Sequence, residues 1–259
     1  MNTLRVFTAA LALAAAGAQA GQTCEPHKPS ASAITQALGL AQRTRDALDA
    51  SGARVVLIAR AGQDLSAYGL RYSHLGYAYR DERTKAWRIV HKLNHCGTDR
   101  SALYRQGLAD FFMDQPWRYE AGVVVPNPAV QDALLPLLQD NSRAAVLNTP
   151  AYNMVAYPWS QRYQQSNQWA LETLAMAMQP SATTRVQAQG WLRALGYQPT
   201  TLHLPAFKRL GAELTAANVA FDDHPNSRRF AGRIDTVTVD SVFAFVRSAG
   251  LAGEPLVVR

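Results

Sequence analysis

The sequence predicts an α+β protein, built from an antiparallel sheet with packed helices and further helices toward the C-terminus. Strand-like runs concentrate in the earlier part of the chain and helical patterns in the later part, unlike the regular alternation of a doubly wound sheet. Of the 259 residues, 48% are hydrophobic and 17% are charged, which supplies enough apolar material for a core and excludes disorder. Two cysteines are too few for a disulfide-rich or zinc-ribbon scaffold.

The N-terminus has the pattern of a secretory signal peptide. Arg5 supplies a positive start, Val6–Ala16 is a short apolar run, and the segment ends in Ala-Gln-Ala. The run is too short to span a bilayer, and a buried N-terminal helix is the alternative interpretation. We therefore predict a signal peptide over residues 1–20, cleavage near Ala20 and a periplasmic or secreted location. The remaining residues, 21–259, are predicted to form a single α+β domain without a transmembrane segment.

The charge balance favours anionic partners. The chain has 26 Lys and Arg against 19 Asp and Glu, a net charge of +7, which loss of Arg5 would lower by one. A basic surface attracts nucleic acid, anionic lipid and anionic glycan alike. Because export would separate the protein from intracellular nucleic acid, the predicted partner is an anionic component of the cell envelope.

Helices are predicted from apolar residues at helical spacing and from their flanking signals. In the first, Ile34, Leu38, Ala41 and Leu48 recur near helical spacing and Gly52 follows the end. The predicted helices are Ser30–Ala50, Ser101–Phe112, Pro128–Leu138, Gln165–Met178, Thr183–Leu195, Pro205–Ala220 and Val242–Ala249.

Strands are predicted from β-branched or alternating runs between turn residues. Ala53–Ala59 lies between two glycines, and the charged segment Asp81–Lys85 is typical of a hairpin loop between two strands. The predicted strands or extended segments are Ala53–Ala59, Tyr72–Arg80, Ala86–Leu93, Gly122–Val125, Tyr152–Tyr157 and Arg233–Val239.

Two histidines on the predicted hairpin form the first candidate site. His74 begins one strand, with Gly76 leaving room near its imidazole, and His91 lies in the partner strand. Antiparallel pairing can bring the two rings to one face, where one imidazole orients the other as a catalytic base requires. Structural or surface roles for each histidine are the alternative.

Ser166 is the third candidate, because it lies where the Gln165–Met178 helix begins. Backbone N–H groups and the helix dipole at that end favour a developing anion. Serine is also a preferred helix N-cap, so a purely capping role stays open.

Several segments resemble a bacterial domain-of-unknown-function family, number 2145 (DUF2145). The resemblance runs from Arg60 to the C-terminus and is carried by YSHLGYAYRD, WRIVHKLNHCGTDRSALYRQGL, NMVAYPWSQRYQQSNQW and GRIDTVTVDSVFAFV. That family implies no established activity.

SHLGYAY followed by IVHKL is also similar to the paired histidine strands of permuted papain-like proteins of the NlpC and lecithin-retinol-acyltransferase kind. In those proteins an Asn-Cys at a helix start follows, with an aromatic residue three positions after the cysteine. Counting back three positions from Trp169 reaches Ser166. The resemblance implies a papain-like fold, with His74 as general base, His91 as its orienting residue and Ser166 in the nucleophile's place. The implied binding residues flank these positions: Tyr72, Ser73, Asn167, Gln168 and Trp169.

The sequence departs from that pattern because a serine stands where the relatives have cysteine. A hydroxyl is a weaker nucleophile than a thiolate and must lose its proton during attack. The hairpin is also longer than we expect for those relatives. Two functions stay open: an acyl or amide hydrolase or transferase acting on envelope peptide or lipid, and a non-catalytic envelope binding or accessory protein.

The remaining candidates concern metal ions and the two cysteines. The segment HKLNHC contains metal-ligand types, but it is predicted to run from strand into loop with no evident fourth ligand, so we predict no metal site and no cofactor. An exported chain can form a Cys24–Cys96 disulfide. Such a bond would close about 70 residues and be worth about 4 kcal/mol in the chain-entropy model. Two free thiols are the alternative.

Overall fold

The structure, a computed structural model, describes residues 28–114 and 116–259. The signal peptide over residues 1–20 and Cys24 lie outside the described residues, so the leader and the Cys24–Cys96 disulfide stay predictions. Within the described part of the chain, no helix has the length and apolarity needed to cross a membrane.

The described residues form helices and strands in a mixed order. The helices are α1 (Ala31–Ala50), α2 (Leu108–Phe112), α3 (Pro128–Gln139), α4 (Asn141–Ala144), α5 (Ser166–Met178), α6 (Arg185–Ala194), α7 (Ala206–Thr215), α8 (Asn226–Phe230) and α9 (Val239–Ser248). The strands are β1 (Val55–Ala61), β2 (His74–Arg80), β3 (Trp87–Asn94), β4 (Ser101–Gln106), β5 (Arg118–Val124), β6 (Thr200–His203), β7 (Arg233–Thr236) and β8 (Leu256–Val258).

Six of the strands form one antiparallel sheet, which confirms the predicted α+β class. Their order is β4-β3-β2-β1-β5-β8, and β6 pairs with β7 in a separate two-stranded sheet. The hairpin of β2 and β3 pairs Tyr77 with Val90 and Arg80 with Trp87. Its loop is closed by the Asp81 carboxylate, which accepts from the Thr84 N–H at 2.7 Å.

Alternation along the strands divides the core between the two faces of the large sheet. On one face, Leu75, Tyr77 and Val90 belong to a cluster with Trp169 and Leu174 of α5. On the other face, the alternate residues of the strands pack against α1 and α2. This second cluster includes Leu40, Val56, Ile58, Ala78, Ile89, Phe111 and Phe112. A smaller cluster of Leu204, Ala216, Val219, Phe221 and Ile234 lies beside the β6–β7 sheet.

Two predicted elements were wrong. Ser101–Phe112 is not one helix, because its first half is β4, which pairs antiparallel with β3 from Ser101↔Asn94 to Gln106↔Ile89. The pairing that β3 offers there outweighs the weak local helical pattern. Tyr152–Tyr157 is not a strand, because its backbone turns at Met154 and Val155. The Asn153 side-chain oxygen stabilises this turn by accepting from the Val155 N–H at 3.2 Å, and its nitrogen donates to the Ala220 carbonyl at 2.8 Å.

Candidate functional site

Two imidazoles meet where β2 begins. His74 Nε2 and His91 Nδ1 lie 2.8 Å apart, and the rings are arranged edge to face with centroids 5.1 Å apart. The hairpin thus brings together the two histidines that the sequence singles out.

Gly76 allows β3 to approach β2 closely at this point. A Cβ at Gly76 would lie 2.9 Å from His91 Cβ and 3.0 Å from the Val90 carbonyl oxygen. The regular β2–β3 pairing ends one residue further on, at Tyr77↔Val90. The His74–His91 contact therefore lies just beyond the last regular pair of β2 and β3.

Phe111 and Arg60 enclose the histidine pair on one side. The Phe111 ring centroid lies 5.9 Å from that of His74 and 5.3 Å from that of His91. Arg60, which is paired with His74 in the β1–β2 register, places its guanidinium carbon 4.8 Å from the Phe111 ring centroid. This guanidinium is buried, donates to the Phe111 carbonyl and pairs with Asp114.

Both imidazoles are held neutral. Burial, followed by the positive charge of Arg60, lowers the pKa of His91 to about 3. Burial, then Arg60 and His91, lowers the pKa of His74 well below its usual value. The pair is therefore in its proton-accepting form throughout the neutral pH range.

Gln106 lies beside the histidine pair and favours one of the two possible directions of its hydrogen bond. Its side chain acts against the lowering of the His91 pKa, and within the described residues neither its oxygen nor His91 Nε2 has a hydrogen-bond partner. A proton on His91 Nε2, facing that oxygen, makes His91 Nδ1 an acceptor for the His74 Nε2–H. This assignment leaves His74 Nδ1 with a free lone pair.

Ser166 is the first residue of α5, but it is not the helix cap. Gln165 occupies the N-cap position, and its side-chain oxygen accepts from the Asn167 N–H at 2.8 Å. The Gln165 amide is itself fixed, because its nitrogen donates to the Val237 carbonyl and, at 3.3 Å, to Thr236 Oγ1. The capping interpretation of Ser166 was therefore wrong.

A tyrosine lies against the start of α5. Burial raises the pKa of Tyr152, and hydrogen bonding with the side chain and backbone of Ser166 opposes that rise. The Tyr152 phenol thus faces the N-terminus of α5 and interacts with the first residue of the helix.

Asn167 connects the start of α5 to the strand that carries His74. Its side-chain oxygen accepts from the Leu75 N–H at 2.9 Å, and its nitrogen lies 3.5 Å from the Ser73 carbonyl oxygen. The same nitrogen donates to the Val237 carbonyl at 3.2 Å. One amide therefore holds the β2 backbone on both sides of His74.

The histidine pair and α5 lie on opposite faces of the sheet. The two imidazoles contact Phe111, whereas α5 packs on the other face, where the Tyr77 hydroxyl donates to the Ala170 carbonyl at 2.6 Å. Among the hydrogen bonds of residues 28–114 and 116–259, none joins Ser166 to His74. Asn167, the residue after Ser166, bonds instead to the residues on either side of His74, Ser73 and Leu75.

The other predicted binding residues make internal contacts. Ser73 Oγ accepts from the Gly62 and Gln63 N–H groups at 2.9 and 3.1 Å. Tyr72 is buried against Phe243, and burial raises the pKa of its phenol. Gln168 donates to the Pro158 carbonyl at 3.1 Å, and the buried Trp169 indole donates to the Ala144 carbonyl at 3.3 Å.

Sequence reasoning missed Arg60, Gln106 and Tyr152 as neighbours of the site. The one available signal for Arg60 was its position as a lone arginine at the end of an apolar strand. If helices cover the sheet, such an arginine is buried and needs a charged or hydrogen-bonding partner. Gln106 and Tyr152 carry no comparable local signal.

Comparison with known proteins gives one match. A family model described as "Uncharacterized protein conserved in bacteria (DUF2145)" matches residues 47–246. Neither the curated proteins nor the solved structures include a match to this chain.

Proposed function

The chain belongs to the DUF2145 family, which supplies no activity, and from the geometry of its site we propose that it is an exported acyl or amide hydrolase or transferase of permuted papain-like architecture. In this proposal Ser166 is the nucleophile, His74 is the general base and His91 orients His74.

The contact between His74 and His91 carries the proposal. At 2.8 Å, the contact with His91 restricts the rotation of the His74 ring. In this proposal the His91 proton is on Nε2, the side on which Gln106 acts, so that His74 donates from Nε2. A base held in this way by a second polar group is the arrangement that nucleophilic catalysis by a hydroxyl requires.

The position of Ser166 supports the nucleophile's role. Because Gln165 caps α5, the Ser166 hydroxyl is not used for capping. Its oxygen would attack the substrate carbonyl while its proton passes to His74, a transfer that requires the two side chains, which lie on opposite faces of the sheet here, to come together when substrate binds. The tetrahedral oxyanion would lie at the N-terminus of α5. The leaving amine or alcohol would then take the proton from His74.

Envelope peptide or lipid is the proposed substrate class. The resemblance to NlpC-type and lecithin-retinol-acyltransferase-type proteins supports an acyl or amide bond, and the net charge of +7 favours an anionic carrier of that bond.

The inference of export depends on the pattern of residues 1–20, and the intact mass of the protein from a periplasmic extract tests it. We expect a chain that begins near Gly21.

A serine-directed fluorophosphonate probe tests the enzymatic proposal. We expect stoichiometric labelling of Ser166, loss of labelling in Ser166→Ala and strong reduction in His74→Gln. The matched control is Ser142→Ala, which removes an exposed hydroxyl at the start of α4 and should label as the unmodified protein does. An unlabelled, folded protein would overturn the enzymatic proposal.

A non-catalytic envelope-binding protein is the second candidate. The position of the imidazoles and α5 on opposite faces favours it, as does the weak basicity of histidines with such low pKa values. This candidate predicts no labelling of Ser166, and ligand binding that survives both Ser166→Ala and His74→Ala.

A further inference from the structure

The amphipathic helix α7 carries an apolar stripe whose side chains do not belong to the core clusters of the described residues. Three of its side chains are largely exposed: Phe207 at 72%, Leu210 at 58% and Leu214 at 78%. No residue of α7 is buried. Single exposed apolar residues are ordinary on a protein surface, but three on one helix form a patch.

Helical geometry places this stripe on the side of α7 that faces away from the protein. At about 100° per residue, Phe207, Leu210 and Leu214 fall within an arc of about 60°. Ala212, which packs against the cluster of Leu204 and Phe221, lies on the opposite side of the helix. The stripe is therefore turned outward.

A second aromatic residue emerges near the start of α7. Phe230, at the end of α8, is 73% exposed. The chain segments that carry Phe207 and Phe230 start from the same end of the β6–β7 sheet. At that end His203 pairs with Arg233, and the Leu204 N–H donates to the Gly232 carbonyl at 2.9 Å. Phe230 and the start of α7 therefore lie at the same end of this sheet.

Basic side chains lie beside this surface, with Lys208 about 100° around α7 from Phe207. Lys208, Arg229 and Arg233 lie on or beside the two helices, and within the described part of the chain none of them forms a salt bridge. The Arg229 guanidinium lies 4.9 Å from the centroid of the Phe230 ring. Glu213 is the one acidic residue of α7.

We propose that Phe207, Leu210, Leu214 and Phe230, with the three basic residues beside them, form a docking surface for an anionic lipid bilayer. A helix of this kind lies in the interface, with its aromatic and leucine side chains among the acyl chains and its basic side chains at anionic headgroups. A symmetric contact between two copies fits less well, because the surface has three basic residues and α7 only one acidic residue, so the contact would bring together two surfaces of net positive charge. The proposal does not depend on the enzymatic function.

Vesicle co-sedimentation tests this surface. Purified protein is mixed with phosphatidylcholine vesicles, and with vesicles that also contain phosphatidylglycerol, at low and high salt. We expect binding to the anionic vesicles that is at least tenfold tighter than to the neutral ones and that weakens at high salt. The triple variant Phe207→Ser, Leu210→Ser, Leu214→Ser should lose at least tenfold in affinity while keeping an unchanged circular dichroism spectrum.

Two sets of controls separate the apolar and electrostatic contributions. The matched apolar control Val146→Ser, Val186→Ser, Leu195→Ser removes exposed side chains elsewhere and should bind as the unmodified protein does. Lys208→Gln with Arg233→Gln should weaken binding and reduce its salt dependence, whereas Arg83→Gln with Arg88→Gln, on the distant β2–β3 hairpin, should not.

Four outcomes would overturn the proposal. They are absence of binding to anionic vesicles, equal binding to neutral and anionic vesicles, equal binding by the triple variant, and a concentration-dependent dimer that the triple variant abolishes. The last would assign the surface to a second copy of the chain.

Discussion

The side-chain oxygen of Asn167 accepts a hydrogen bond of 2.9 Å from the backbone N–H of Leu75. Regular pairing of β2 with β3 begins only at Tyr77↔Val90, so β3 supplies no carbonyl oxygen to the Leu75 N–H. The helix start on one face of the sheet and the histidine strand are thus joined by an amide that takes the place of a missing sheet hydrogen bond.

Replacement of Asn167 should destabilise the protein. Asn167→Ala leaves the Leu75 N–H without a partner, and Asn167→Asp places a carboxylate against the Ser73 and Val237 carbonyl oxygens. Each change should cost about 1–3 kcal/mol in the free energy of unfolding, measured with urea. The exposed Asn226→Ala should change it by less than about 0.5 kcal/mol. An Asn167→Asp variant as stable as the unmodified protein would contradict this role.

Gly76→Ala tests the close approach of the strands at the histidine pair. The new methyl group would meet His91 Cβ at 2.9 Å and the Val90 carbonyl oxygen at 3.0 Å, so backbone atoms must move. We expect a loss of about 1–3 kcal/mol in unfolding free energy. The His74–His91 contact should also be disturbed, which changes the imidazole signals in an NMR spectrum.

Gly190→Ala is the matched control for Gly76→Ala. Gly190 lies inside α6, where an added Cβ would meet no atom within 4 Å. Alanine there should stabilise the protein by about 0.5–1 kcal/mol, because glycine is the poorer helix former. If the two substitutions shift the urea midpoint in the same direction, the steric argument at Gly76 fails.

Glu172 organises a buried polar network on α5. It accepts from Arg185 Nε at 2.8 Å, from Gln189 at 2.7 Å and from Gln164 at 2.5 Å. Lys92 is buried nearby, and burial, followed by Arg185, lowers its pKa to about 7 while Glu172 opposes the shift.

Glu172→Gln removes the negative charge from this network. The Arg185 guanidinium would stay buried without its counter-charge, so we expect a loss of about 3–5 kcal/mol in the free energy of unfolding. The exposed Arg247–Glu254 pair provides the control, since Glu254→Gln should cost less than about 1 kcal/mol. Equal losses in the free energy of unfolding for the two substitutions would show that burial of the network does not contribute to stability.

Elements with strong local patterns could be predicted from the sequence. The α1 pattern and the hairpin of β2 and β3 are set by spacing and turn residues within one stretch of chain, and both lie close to their predicted bounds. β4 was missed because its strand character comes from pairing with β3. The short β6 and β8 have too few residues to show a period.

In the candidate site, too, only the features that depend on local sequence could be predicted. The proximity of His74 and His91 follows from one local hairpin, so the sequence could predict it. The cap of α5 depends on Gln165, whose amide is positioned by Thr236 and Val237, far along the chain. Nor does any local pattern reveal that α5 packs on the sheet face opposite the imidazoles.

The predicted Cys24–Cys96 disulfide can be tested by mass spectrometry. Cys96 lies in the exposed loop between β3 and β4, accessible to an alkylating reagent if it is reduced. We expect the mass to stay unchanged after alkylation under native, non-reducing conditions, and to increase by two alkyl groups after reduction. Two alkylated thiols without reduction would refute the bond. The Cys24→Ser, Cys96→Ser variant should be less stable by about 4 kcal/mol.

The two histidines predict how stability depends on pH. Each imidazole has a usual pKa of 6.5, whereas the fold lowers that of His91 to about 3 and that of His74 in the same direction. Below pH 6.5 the unfolded chain therefore binds protons that the folded chain does not. Stability should be unaffected by these groups above pH 6.5 and should fall below it, by up to about 1.4 kcal/mol per pH unit for each imidazole.

Urea unfolding between pH 7 and pH 5 measures this slope above the usual range of carboxylate titration. His91→Gln removes one of the two imidazoles, so its stability should decline about half as steeply as that of the unmodified protein. If His91→Gln and the unmodified protein lose stability in parallel, His91 is not held neutral by burial and Arg60, and the proton-accepting pair that the proposed catalysis requires is absent.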